Sequence, residues 1–281
     1  MSATFKKQII NMNKGKFNII LNSVFCFVSA FIMIKGIIAL LRFIMMRHFS
    51  AWVHLINFDL ICMNGKDARI WTPLSVISMY SVGFLAAAGL AVLGLVFFFK
   101  IRKKRGLLKL FAFWFYVIAL NQSLGVFLRD IPIKRDLYHA LNWMYVPYEF
   151  MIGLTIFAGI ILFSLNGFNY KKALRVVHST EIIRDNKNRR KTYAYIVMFP
   201  AIISVAFLLL LHFYNIKAYE IIEFSVLLIS LAVPYIVFLS GNIPKKIKIL
   251  RDEPINQFNK NAMVMAFLFL IVFFVVKMIY F

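Results

Sequence analysis

The chain has 281 residues, 62% of them hydrophobic and 31 of them Phe, and its formal net charge is +22. A water-soluble fold of this length cannot bury so much apolar surface, which leaves lipid as the medium. Such a charge on a soluble chain would point to nucleic acid, but here the basic residues sit between long apolar runs, and nucleic acid is excluded as a partner.

Lys6, Lys7, Lys14 and Lys16 precede the first apolar run, 17–46. That run is too long for the h-region of a signal peptide and no A-x-A-like site follows, so it reads as an uncleaved first span. Lys35 lies about 27 Å along the helix axis from Phe17 and reaches the far interface. Gly36 to Met46, carrying Arg42, is expected to continue as a tilted or surface-lying extension that ends at Arg47 and His48. The next connection holds His54 and Cys62 and reads as loop. Cys62 and Cys26, the latter inside the first run, fit no metal or disulfide spacing and read as unpaired.

The second span, 74–99, carries small residues at Gly83, Ala87, Gly89, Ala91 and Gly94, which permit close backbone approach within the protein or to another subunit. The basic run KIRKKRGLLK follows. The third span, 107–128, contains Asn121, Gln122 and Ser123, polar groups that seek partners on other helices or line a path toward Asp130. Arg129 and Asp130 leave this span. The stretch RDIPIKRDLYHALNW, with His139, Tyr138 and Trp143, followed by Tyr145 and Tyr148, reads as a connection along the membrane surface with an aromatic belt.

Glu149 enters the fourth span, 146–165, just after Pro147. The long basic connection 166–192 places Ala173, Leu174, Val177 and Ile182 at roughly helical spacing, as in a surface-lying amphipathic helix. The fifth and sixth spans, 193–214 and 219–240, are joined by a turn at Asn215 to Lys217 and form an antiparallel pair. Pro200 and Pro234 interrupt them and free a carbonyl in each. The seventh span is 262–281. Each run is long enough for about 30 Å of hydrocarbon, which takes about 20 helical residues. The predicted fold is therefore all-α, one polytopic membrane bundle of about seven helices without a soluble domain.

Segments 1–16, 100–109, 166–192 and 241–261 hold 23 of the 33 Lys and Arg residues and alternate consistently with seven spans. The positive-inside rule then puts the N-terminus in the cytoplasm and the C-terminus outside. Lys100, Arg102, Lys103, Lys104, Arg105, Lys171, Lys172, Arg189, Arg190 and Lys191 are the expected contacts to anionic cytoplasmic lipid. Usage rich in Lys, Ile, Asn and Phe points to a bacterial inner membrane.

Seven of the 11 acids and four of the five histidines gather at the other face or in the outer ends of spans. Glu220 and Glu223 stand three apart on one helical face. His212 is expected within reach, with Glu149, His139, Asp130 and Arg129 at the same level. Three readings follow: carboxylates paired with Lys217, Lys277 or Arg129 to hold helices together; an outward-open binding or proton-handling site; or a metal site of His212, Glu220 and Glu223, which zinc would accept. No H-E-x-x-H, G-x-S-x-G, Walker, G-x-G-x-x-G or C-x-x-C signature is present. The leading expectation is a non-enzymatic membrane protein with no cofactor, either a subunit of a membrane complex or a handler of an ion, lipid or small solute. The alternatives are a metal-dependent hydrolase with an outer His/Glu site and a secondary transporter.

Overall fold

The computed structural model describes residues 3–56, 59–64, 69–101, 106–176, 186–211, 217–239 and 259–279. Its elements run α1 (Ala3–His48), a β1–β2 hairpin (Val53–Ile56 and Asp59–Cys62), α2 (Pro73–Lys100), α3 (Gly106–Asp130), α4 (Asp136–Trp143), α5 (Tyr148–Leu174), α6 (Asn186–Tyr193), a π-helical turn (Ala194–Met198), α7 (Phe199–Leu211), α8 (Ala218–Leu239) and α9 (Lys260–Ile279). Six helical stretches among the described residues are long and apolar enough to cross a membrane. The seventh predicted segment forms α9, whose 20 residues pack beside α1. The protein is an all-α polytopic membrane bundle.

Three expectations are refined. Of the two forms expected for the extension after Lys35, the structure has the continuous one: α1 runs unbroken to His48, and Met46 is packed with Met79 and Ala51 in a small second core. The connection that carries Cys62 is a two-stranded antiparallel hairpin rather than loop, pairing Val53 with Cys62, and both cysteines are free. Ala173 and Leu174 are not on an amphipathic surface helix; α5 carries on through them and buries both. Val177 and Ile182 lie outside the described residues.

Local chemistry accounts for the helix ends. Thr72 accepts from the Ser75 amide at 3.2 Å while the Thr72 amide donates to Ser75 Oγ at 3.0 Å, a capping box with Pro73 at the first helical position. Asn259 Oδ1 accepts from the Asn261 amide at 2.9 Å to start α9, and the Asn259 amide donates to Asn22 Oδ1 at 3.1 Å, tying that start to α1. At the other end of the bundle α1 and α4 stop alike, with Ser50 and Tyr145 in the left-handed region and the following amide reaching back five residues. The turn after α3 uses Lys134 in the same way, and the Arg135 amide donates to Asp130 O at 2.9 Å, folding α4 back over α3.

The core centres on α3, whose Phe113, Trp114, Val117 and Ile118 are almost fully buried between α1, α2, α5 and α8. Helices attract one another weakly in lipid, so close approach and polar links carry much of the association. The small residues of α2 supply close approach inside the protein: Ala87 and Ala91 are buried, and a Cβ on Gly94 would sit 2.9 Å from Phe115 and 3.1 Å from the Tyr116 backbone. Gly89 faces open space. Asn121 and Ser230 supply a polar link, with Ser230 Oγ 3.0 Å from Asn121 Oδ1 across α3 and α8.

Pro200 explains a second link. Without an amide hydrogen it leaves Ile196 O with no α-helical donor, and the chain absorbs the defect as the π-helical turn just before it. Ser23 Oγ donates to that carbonyl at 2.6 Å, and Trp114 Nε1 donates to Ser23 Oγ at 2.8 Å, all three residues being fully buried. At Pro234 the neighbouring carbonyl of Leu231 accepts from Tyr193 Oη at 3.0 Å. Ser23→Ala orphans both Ile196 O and the Trp114 N–H, and unfolding of the detergent-solubilised protein is expected to show a loss of about 1–3 kcal/mol. Ser204→Ala, which removes a buried hydroxyl without a hydrogen bond among the described residues, is expected to cost less. Equal losses in the two variants would contradict the relay.

Candidate functional site

Three helices, α1, α3 and α8, and the short α4 bring charged side chains to one end of the bundle, beside α2. On α1, Phe31, Lys35, Ile38 and Arg42 recur at helical spacing and make one stripe; on α3, Gln122, Val126 and Arg129 do the same. Glu220, Glu223 and Phe224 present one face of α8, and Tyr80, Gly83 and Phe84 one face of α2. These stripes line a cavity of about 80 Å³, room for a few water molecules.

Glu223 is the centre of the cluster. Its carboxylate accepts from Lys35 Nζ at 2.7 Å, from Arg129 Nη1 at 2.5 Å and from Gln122 Nε2 at 2.6 Å, so α1, α3 and α8 meet on one group. Its side chain is only 12% exposed. Arg129 Nε also donates to Asp130 Oδ1 at 2.6 Å, and the other Asp130 oxygen accepts the Leu137 amide at 3.2 Å. Asp130, fully buried, thus holds the start of α4 from the end of α3, where a helix N-terminus favours a carboxylate. Arg42 pairs with Asp136 at 2.8 Å, and a Cβ on Gly83 would come within 3.2 Å of the Arg42 side chain, so glycine there lets the arginine lie along α2. The Arg135 guanidinium stacks 3.5 Å over the Tyr219 ring.

Of the residues predicted for this site, Arg129, Asp130, Glu220 and Glu223 line the cavity. Glu220 has a local task as well: its Oε2 accepts the Lys217 amide at 3.4 Å, the third-position carboxylate of a helix start. Glu149 is exposed on the first turn of α5 and does not line the cavity. His139 is exposed on α4, against the rings of Tyr80 and Tyr138. His212 lies outside the described residues, as does the side chain of Lys277. Glu223 pairs with Arg129, as one expectation held, and with Lys35 rather than Lys217, whose ammonium lies over the Tyr219 ring.

Lys35, Arg42, Gln122, Arg135 and Asp136 complete the cluster and were not foreseen in it. A signal was present: Lys35 and Arg42 stand seven apart in an apolar helix, as do Gln122 and Arg129, and a buried charge at membrane depth requires a partner. Among the described residues no group of three or more His, Cys, Asp and Glu side chains is arranged to hold a metal. Both Glu223 oxygens are already engaged by cations, which opposes a role as zinc ligand.

The basic face is at the opposite helix ends. Lys100 and Lys191 are exposed, whereas Arg189 is buried and Lys172 donates to Asn169 Oδ1 at 2.7 Å beside the Tyr116 ring. Lys171 and Arg190 are half-buried. Arg102, Lys103, Lys104 and Arg105 lie outside the described residues. Comparison of the chain with protein-family models, with curated proteins and with solved structures finds no match in any of the three.

Glu223→Leu leaves Lys35 without its carboxylate, and breaking a buried pair from one side costs about 3–5 kcal/mol, an upper bound here because the groups are partly exposed. The double variant Lys35→Met with Glu223→Leu is expected to recover part of that loss in a double-mutant cycle on detergent unfolding. Strict additivity would show that the contact carries no coupling.

Proposed function

We propose that this chain is a non-enzymatic multi-pass membrane protein that binds a small zwitterionic or neutral polar solute in the cavity between α1, α2, α3, α4 and α8. The observation that carries this reading is the charge balance of the lining: Lys35, Arg42, Arg129 and Arg135 stand against Asp130, Asp136, Glu220 and Glu223. Ionisable groups at membrane depth mark solute or ion paths more often than they serve stability alone. A lone anion or cation entering a balanced site must break an internal pair without replacing it. A zwitterion exchanges one pair for another, and a neutral polar solute needs only hydrogen bonds. The cavity's size limits the ligand to a few heavy atoms.

The competing reading is a clamp with no ligand, and Glu223's three internal partners favour it. Ligand-dependent stability separates the two. In nanodiscs, a thermal-shift screen of the smallest zwitterionic and neutral polar solutes, such as glycine, urea and ethylene glycol, is expected to find one that stabilises the wild type by about 1.4 kcal/mol at ten times its Kd. Glu223→Gln is expected to abolish that response. A screen with no stabilising solute, or a response unchanged in Glu223→Gln, would return the cluster to the clamp reading.

We further propose that the cavity faces outward and the basic segments face the cytoplasm of a cell, with the compositional bias toward Lys, Ile, Asn and Phe supporting a bacterial inner membrane. The two native cysteines test the orientation. Cys26 is buried and Cys62 half-buried in the hairpin beside the cavity end of α1. A membrane-impermeant maleimide applied to intact spheroplasts is expected to label wild type through Cys62 and to leave Cys62→Ser unlabelled. Labelling that requires cell lysis would reverse the orientation.

A further inference from the structure

Away from the charged cluster, toward the end of the bundle where α2 stops and α3 and α9 begin, lies a cavity of a different kind. It occupies about 710 Å³ between α1, α2, α3 and α9, within the size range of a site for a bound small molecule. Its walls are aliphatic and aromatic: Phe25 and Met33 of α1, Leu93 and Phe97 of α2, Phe111 of α3 and Met265 of α9. Along α1 it extends from Phe25 to Met33, about 12 Å of helix. Lys100, Asn259 and Asn261 stand at the ends of their helices at its polar mouth.

Ser29 belongs to the same wall, but the residue is 2% exposed and its Oγ is turned away from the open space. The Lys100 ammonium is exposed and is the basic group of this lining.

We propose that this cavity holds one acidic phospholipid, an assignment that rests on different residues from the outer cavity and stands or falls apart from it. The phosphate meets Lys100, and an acyl chain lies along Phe25, Met33, Leu93, Phe97 and Phe111. A bilayer lipid fits the combination of apolar walls and a cation at the mouth. An apolar helix of a second protein chain would cover the Lys100 ammonium without bringing it a counter-charge.

Native mass spectrometry of the full chain, equilibrated in mild detergent with equimolar phosphatidylglycerol and phosphatidylethanolamine, tests the assignment. The wild type is expected to retain one phospholipid with phosphatidylglycerol preferred. Lys100→Gln is expected to lower that preference about fivefold. Leu93 is 64% exposed, so Leu93→Trp fills the groove from its open side without disturbing the core, and is expected to lose the retained lipid. The proposal is overturned if the wild type retains no phospholipid, if both headgroups are held equally, if Leu93→Trp keeps its lipid, or if the groove is occupied instead by a second copy, seen as a dimer that Leu93→Trp converts to monomer.

Discussion

A carboxylate at membrane depth must be neutralised, and Glu223 is neutralised by groups from two other helices. Lys35 reaches it from α1 and Arg129 from α3, with Gln122 adding a neutral donor. An unpaired charge costs about 2.5–3.5 kcal/mol at the bilayer centre on insertion scales and less toward a helix end, where Glu223 stands, so this contact favours one register of α1 and α3 against α8. A slip of one turn would move each partner about 5.4 Å and strand all three charges. Arg129 then passes the constraint to Asp130, and Asp130 to the start of α4, which makes the end of the bundle one connected electrostatic unit.

Elsewhere the bundle is held by contacts of a different kind. In lipid, an apolar side chain gains little by leaving its surroundings for another helix, and close packing and buried hydrogen bonds bear more of the association. Gly94 against the Tyr116 backbone is an instance of the first, and the Trp114–Ser23–Ile196 relay of the second. The relay also shows how a helix tolerates proline: the carbonyl that Pro200 leaves open is met from a neighbouring helix, at the cost of a π-helical turn. Pro234 stands in a similar setting, with Tyr193 reaching the carbonyl of Leu231.

The two cavities have opposite physical characters. The one at the charged end is small, polar and internally balanced, so a ligand there has to compete with ion pairs already made. The one at the basic end is larger, with apolar walls and a polar mouth, so a ligand there has to bring its own hydrophobic length. α1 serves both, through Lys35 and Arg42 on one stretch and Phe25, Ser29 and Met33 on another, because it is longer than one crossing requires.

Apolar run lengths by themselves determined that this is a helical membrane protein and roughly where its helices lie, since a span needs a continuous run of set length whatever its neighbours do. The end of α3 at Arg129 and Asp130 and the start of α8 near Glu220 were legible from spacing, as was the shared face of Glu220 and Glu223. Tertiary structure alone decided that Lys35 is the partner of Glu223, that Arg42 is held inside against Asp136 and Gly83, that Glu149 and His139 stay outside the cavity, and that Ala173 and Leu174 extend α5. Periodicity within a helix states which residues share a face; it carries no information about which face of another helix, 188 residues away in the case of Lys35 and Glu223, will be turned toward it.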